Sequence, residues 1–205
     1  KNQPPLPMYS PVASQFPLLL TEKYPNITAR NYFVLDLNSQ QGLLQKSPDQ
    51  HIYPASTTKM MTALVAIDNF PLNQVITVTR SYPEGQDLGL QPGEQVTVEK
   101  LLYALLVYSA NDAAEIFAEN FPGGRDSFIA AMNQKAADFR LVNTHFVNPT
   151  GLDEVNHYSS AADLVRLANN LMKHPELARI VSTENAVLSS SDYSTAHIVT
   201  NINQL

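Results

Sequence analysis

Residues 54–66 read PASTTKMMTALVA and place a serine hydroxyl and a lysine amine three positions apart, at Ser56 and Lys59. If the segment is helical, side chains with this spacing lie on one face. An amine in that position can accept the serine proton when it is neutral, so the pair predicts a serine acyl-transfer site that uses lysine as its base. Because serine is also a common helix N-cap, the motif alone leaves a structural role open.

A second polar motif, Ser109-Ala110-Asn111, lies at a predicted break between two helices. Its hydroxyl can relay a proton and its amide can bind a substrate, whereas capping of the two helices is the structural alternative. The candidate catalytic residues are therefore Ser56, Lys59 and Ser109, and the candidate substrate-binding residue is Asn111.

The order of predicted elements is strands, then helices, then strands. Helix 57–69 is apolar on most of its circumference, which predicts that it is buried. Thr97 and Ser160 are predicted N-caps. The other predicted elements are strands 31–37, 43–46, 75–79, 186–189 and 197–200 and helices 98–107, 112–120, 126–140, 161–173 and 175–181. This order predicts an α/β (α+β) fold in which both ends of the chain build one antiparallel sheet around an inserted helical lobe, residues 76–175.

Composition excludes several functional classes. The 205 residues include 44% hydrophobic and 16% charged residues, which is typical of a folded domain. Cysteine is absent, which excludes disulfides, thiolate metal sites and a cysteine nucleophile. The net charge of -6 and the lack of a basic run argue against nucleic acid. The five histidines are scattered, and we predict no metal site.

At these motifs the chain resembles the penicillin-binding proteins, specifically the D-alanyl-D-alanine carboxypeptidase group, whose signature is S-x-x-K, S-x-N and K-T-G. The resemblance runs from about Thr28 to Leu205. It is carried by the nucleophile motif and by residues 89–119 (GLQPGEQVTVEKLLYALLVYSANDAAEIFAE), 128–136 (FIAAMNQKA), 143–153 (NTHFVNPTGLD) and 157–164 (HYSSAADL).

The resemblance implies a β-lactamase/transpeptidase-like fold over residues 28–205, preceded by a Pro-rich extended arm at residues 1–27. It implies that Ser56 attacks the D-Ala-D-Ala bond of a peptidoglycan stem peptide, that Lys59 is the base, that Ser109 relays a proton and that Asn111 binds the substrate amide and orients the lysine. β-Lactams are then covalent inhibitors, no cofactor is needed, and the protein is expected outside the cytoplasm. A membrane anchor outside this chain is compatible with these expectations.

One motif of the resembled family is absent. The only Thr-Gly pair, Thr150-Gly151, follows Pro149 and not lysine, so the sequence contains no K-T-G. Residues 200–205 (TNINQL) resemble the segment that precedes K-T-G in the family. We therefore expect the third motif, further strands and a C-terminal helix to lie outside this chain, and residues 1–205 alone to be an incomplete enzyme.

Three other functions remain open at this stage. A D,D-endopeptidase uses the same motifs. A serine β-lactamase shares the fold, and Glu154 occupies a plausible place for its deacylating glutamate, but the surrounding DEVNHYSS resembles the carboxypeptidases. A non-catalytic cell-wall-binding module is the alternative outside enzymes.

Overall fold

The protein is described by a computed structural model over residues 26–203, so almost all of the predicted N-terminal arm lies outside the described residues. The described residues form six strands and six α-helices, in the order β1 (Tyr32–Asp36), β2 (Gln41–Lys46), α1 (Lys59–Asn69), β3 (Val75–Thr77), β4 (Gln95–Thr97), α2 (Val98–Val107), α3 (Asn111–Asn120), α4 (Gly124–Asp138), α5 (Ala161–Leu171), α6 (Pro175–Val181), β5 (Asn185–Ser189) and β6 (Ala196–Thr200).

Helix α1 lies at the centre of the molecule and contacts α2, α3, α4 and α5. Its side chains are buried on most of its circumference, as the apolar run predicted. The surrounding core contains three fully buried phenylalanines, Phe117, Phe128 and Phe146. Each such side chain contributes roughly 1.5–3 kcal/mol through removal from water, so α1 is held firmly and can serve as a platform for the residues at its N-terminus.

The predicted caps are confirmed. The Thr97 hydroxyl accepts a hydrogen bond from the backbone N–H of Lys100 at the start of α2. The Ser160 hydroxyl accepts one from the N–H of Asp163, 3.2 Å away, at the start of α5. Each bond satisfies one of the N–H groups that a helix leaves unpaired at its first turn.

The strands differ from the single sheet that we expected. Within residues 26–203 they form three separate two-stranded antiparallel sheets, β1–β2, β3–β4 and β5–β6. Strand β1 packs on α5, while β5 and β6 pack on α2. Sheets β1–β2 and β5–β6 are hairpins of neighbouring strands, whereas β3 and β4 are separated by residues 78–94. One sheet from both ends of the chain requires pairing between the two hairpins, directly or through another strand, and residues 26–203 show no such pairing. None of the helices in this range is long and apolar enough to cross a membrane.

Candidate active site

Ser56 lies in a 3-10 turn, Ala55–Thr58, that leads directly into α1. Ser56 therefore precedes the α-helix, as predicted, but the α-helix begins at Lys59 and not at Thr57. Ala55 has a left-handed φ of 48°. A backbone of this kind costs of order 1–3 kcal/mol for a residue with a Cβ and is found preferentially at functional sites. The turn places the Ser56 hydroxyl 3.2 Å from the Lys59 Nζ, which donates a hydrogen bond to it.

Lys59 is buried, with 2% of its surface exposed. Its Nζ also donates a hydrogen bond to the Thr150 carbonyl oxygen, 2.9 Å away. Burial lowers the pKa of Lys59 from its usual 10.5 to about 8, against the attraction of the Asp112 carboxylate, which acts in the opposite direction. With such a pKa about a tenth of the amine is neutral at pH 7, so Lys59 can accept the serine proton.

The second motif lies where α2 gives way to α3. Ser109 is buried and has a left-handed φ of 65°. Asn111 is the first residue of α3, and its Nδ2 donates to the Glu84 carbonyl oxygen at 2.7 Å. Among the hydrogen bonds of residues 26–203, none joins Ser109 or Asn111 to Lys59. The expected orienting contact from Asn111 to the lysine is thus replaced by one to the loop between β3 and β4.

Asp112 is a site residue that the sequence analysis missed. Its buried carboxylate accepts hydrogen bonds from the backbone N–H groups of Leu88, Gly89 and Leu90. These bonds fix the loop against the start of α3, beside Asn111. The available signal was an acidic residue in the first turn of a helix, where a carboxylate is favoured.

The sequence indicates a turn at residues 148–151, but not that this turn completes the site. The Asn148 Oδ1 accepts hydrogen bonds from the N–H groups of Thr150 and Gly151, at 3.2 and 2.8 Å. Gly151 has a φ of 90°, and a Cβ at this position would lie 1.9 Å from the Ala55 carbonyl oxygen. Only glycine therefore lets this turn approach the residue before Ser56 while Thr150 contacts the lysine.

These elements enclose an open cleft of about 430 Å3. Its lining residues come from the 3-10 turn that carries Ser56, the loop between β3 and β4, the start of α3, and the 148–151 turn with the two residues after it: Ala55, Ser56, Gly85, Gln86, Asn111, Thr150, Gly151, Leu152 and Asp153. The structure thus brings Ser56 and Asn111 to the lining of one cleft. Lys59 is not a lining residue, but its amine contacts Ser56 from a buried position. Ser109 is also buried and is not a lining residue. Across the part of the chain that the structure describes, no His, Cys, Asp and Glu side chains are grouped as metal ligands.

The fold and the paired serine and lysine define the class of penicillin-binding proteins with a transpeptidase-like fold. Residues 19–205 match the family described as D-alanyl-D-alanine carboxypeptidase. The chain belongs to this family.

Three relatives illustrate the similarity. The D-alanyl-D-alanine carboxypeptidase DacA of Haemophilus influenzae is 37% identical over 172 residues, which are 78% of this chain and 44% of that protein. A D-alanyl-D-alanine endopeptidase of Pseudomonas aeruginosa is 36% identical over 154 residues, 73% of this chain and 49% of that protein. A Streptomyces DD-transpeptidase structure has a TM-score of 0.83 at 28% identity and covers 89% of this chain and 77% of its own. The chain spans about half the length of the curated relatives that it matches.

Proposed function

We propose that the protein containing this chain is a serine D,D-carboxypeptidase that removes the terminal D-alanine from peptidoglycan stem peptides. The observation that carries this proposal is the 3.2 Å contact between the Ser56 hydroxyl and a buried lysine whose pKa is lowered to about 8. Family membership supports the substrate class. An extracytoplasmic location and covalent inhibition by β-lactams follow from the same proposal.

The proposed reaction proceeds through an acyl-enzyme. Neutral Lys59 takes the proton from Ser56 as its oxygen attacks the carbonyl between the two D-alanines. The bond to the terminal D-alanine breaks, and its nitrogen receives a proton that Ser109 relays. Asn111 binds the amide of the acyl portion in the cleft. Water then hydrolyses the ester, which releases the shortened peptide and restores the serine hydroxyl.

The first test is covalent labelling of the full-length protein with penicillin, followed by digestion and mass spectrometry. We expect the label on Ser56 and its loss in Ser56→Ala with the fold retained, since a hydroxyl at a helix entrance contributes only about 1 kcal/mol. Ser39→Ala is a control, because Ser39 is an exposed serine outside the cleft. A label on another residue, or no label, contradicts the proposed nucleophile. Release of D-alanine from a diacyl-D-Ala-D-Ala peptide then tests the reaction.

A second candidate function is cleavage of cross-linked stem peptides, which the Pseudomonas aeruginosa relative named as an endopeptidase favours. The same acyl-enzyme forms in both reactions, and they differ in the leaving group. Purified monomeric pentapeptide and cross-linked dimer distinguish them, because an endopeptidase produces monomers from the dimer. The expectation of a K-T-G strand outside residues 1–205 stays a prediction.

A further inference from the structure

His157 is a buried histidine that the proposed reaction does not use, and it contacts the nucleophile motif. The residue is 1% exposed. Its ring Nε2 lies 2.9 Å from the hydroxyl oxygen of Thr58. Thr58 is fully buried and belongs to the same 3-10 turn as Ser56, immediately before Lys59.

The hydrogen bonds of His157 determine which ring nitrogen carries the proton. The backbone N–H of Val147 donates to the ring Nδ1 at 3.1 Å, so Nδ1 is unprotonated. In a neutral imidazole the other nitrogen then carries the hydrogen. Nε2–H consequently donates to Thr58. The ring also packs edge-on against Phe146, with 5.7 Å between the ring centres, which restricts its rotation.

The two residues of the candidate catalytic pair are held by the same segment of chain. Residues 147–157 supply the Thr150 carbonyl oxygen to Lys59 and the His157 imidazole to the turn that carries Ser56. The distance between the serine oxygen and the lysine nitrogen therefore depends on both contacts. Loss of the Thr150 contact frees the lysine but leaves the serine in place. Loss of the His157 contact frees the turn that carries the serine but leaves the lysine in place.

We propose that His157 is a positioning residue that acts through Thr58 to hold the Ser56 hydroxyl at proton-transfer distance from Lys59. The inference rests on the proposed function, because it assigns His157 a role in acylation of Ser56. His157 does not touch the substrate. Its contribution is to hold the 3-10 turn in a fixed position relative to the lysine amine.

The charge state of His157 gives the inference a distinct signature. Burial lowers its pKa below the usual 6.5; Glu154 and Asp153 act in the opposite direction, and His145 reinforces the burial. Towards α1 the ring faces the uncharged Thr58 hydroxyl. Protonation puts a hydrogen on Nδ1, opposite the Val147 N–H, and this removes the bond that fixes the ring. Acylation should therefore slow as His157 becomes protonated at acidic pH.

The experiment measures acylation of the full-length protein by a fluorescent penicillin, with the rate constant of the covalent step separated from the affinity of the preceding complex. Thr58→Val removes the hydroxyl at nearly constant volume, and Thr58→Ser retains it. We expect Thr58→Val to slow the covalent step about ten- to a hundredfold with little change in affinity, because small misplacements of reacting groups cost rates of this size. Thr58→Ser should remain close to wild type.

Substitutions of His157 distinguish the two hydrogen bonds of its ring, the one that it donates to Thr58 and the one that it accepts from the Val147 N–H. His157→Gln can place an amide N–H near the Nε2 position, whereas His157→Asn reaches only the Nδ1 position. We expect His157→Gln to acylate faster than His157→Asn and to lose the histidine step in the acidic limb of the pH profile. A double variant that combines His157→Gln with Thr58→Val should acylate no more slowly than the slower of the two single variants, since both changes affect the same hydrogen bond between residues 58 and 157.

The outcomes distinguish this inference from the proposed function. Wild-type rates in Thr58→Val, or equal losses in Thr58→Val and Thr58→Ser, overturn the inference alone. The inference is also overturned if the acidic limb of the pH profile of acylation is the same in His157→Gln as in the wild type. This comparison remains available if Thr58→Val does not fold. Failure of penicillin to label the wild-type protein at Ser56 overturns the proposed function, and the inference with it.

Discussion

Lys59 can act as a base because burial, without a neighbouring cation, lowers its pKa to about 8. The amine donates a hydrogen bond to the Thr150 carbonyl oxygen at 2.9 Å, and this contact holds it 3.2 Å from the Ser56 hydroxyl. A carbonyl oxygen also stabilises the charged amine, so this environment leaves the lysine protonated at neutral pH in most molecules and neutral in a useful fraction. Around pH 8 the reactivity of the site should consequently follow the titration of Lys59.

We expect the acylation rate to rise with pH through a value near 8, because the neutral amine becomes the dominant form there. Lys59→Arg keeps the charge but cannot lose a proton in this range, so it should lose acylation almost as fully as Lys59→Ala. Stopped-flow measurement of the reaction with a chromogenic β-lactam checks both expectations. Retention of more than about a tenth of the rate by Lys59→Arg, a barrier change below about 1.4 kcal/mol, would show that the lysine acts only through its charge.

The same pKa shift links stability to pH. The folded protein binds a proton at Lys59 less tightly than the unfolded chain does, since the pKa is about 8 against 10.5. Between these values the unfolded chain carries more protons, so the free energy of unfolding contributed by this group rises as pH rises. Urea unfolding of wild type and Lys59→Met across this window provides an independent check, because the variant should lack the rise.

At the level of elements, the 148–151 turn illustrates what the sequence could and could not predict. The helices and their caps at Thr97 and Ser160 were predictable from apolar periodicity and local polar residues. Strand β4 was missed because its pairing with β3 is between residues distant in the chain. The contact of Thr150 with Lys59 spans 91 residues and uses a backbone oxygen, which every residue has. No residue type in the sequence marks such a contact.

We expect Gly151→Ala to slow acylation at least tenfold and to lower the melting temperature, because the new Cβ collides with the Ala55 carbonyl oxygen and displaces the nucleophile turn. Gly93→Ala is a matched control: Gly93 has a φ of 89°, nearly equal to the 90° of Gly151, but open space around it. The Gly93→Ala variant should lose only the roughly 1–2 kcal/mol of stability that a left-handed backbone costs a residue with a Cβ. Thermal unfolding and penicillin labelling of both variants measure the difference. Equal acylation rates in the two would mean that the close approach of this turn to Ala55 is unimportant for the site.

At the scale of the whole molecule, the β5–β6 hairpin has one buried and one exposed apolar face. Leu188 and Val199 are buried, at 4% and 0% exposure, on the hairpin that packs on α2. Val187 and Ile198 are direct cross-strand partners on the other face, and they are 64% and 74% exposed. The sequence predicted the two strands but not this surface, because the alternation of side chains in a strand does not show what covers its second face. An exposed apolar pair on a two-stranded sheet favours self-association.

We expect the double variant Val187→Thr with Ile198→Thr to bind less of an apolar fluorescent dye and to associate less at high concentration. Its melting temperature should stay within a few degrees of wild type, because threonine keeps the β-branched shape that strands favour and the lost methyl groups were already in water. Val199→Thr is the matched buried change, and it should cost about 1–3 kcal/mol because it buries a hydroxyl. Dye fluorescence, light scattering and thermal unfolding of residues 1–205 measure all three quantities. If the double variant loses as much stability as Val199→Thr, then Val187 and Ile198 are covered in solution, and the exposed face is itself a packing surface.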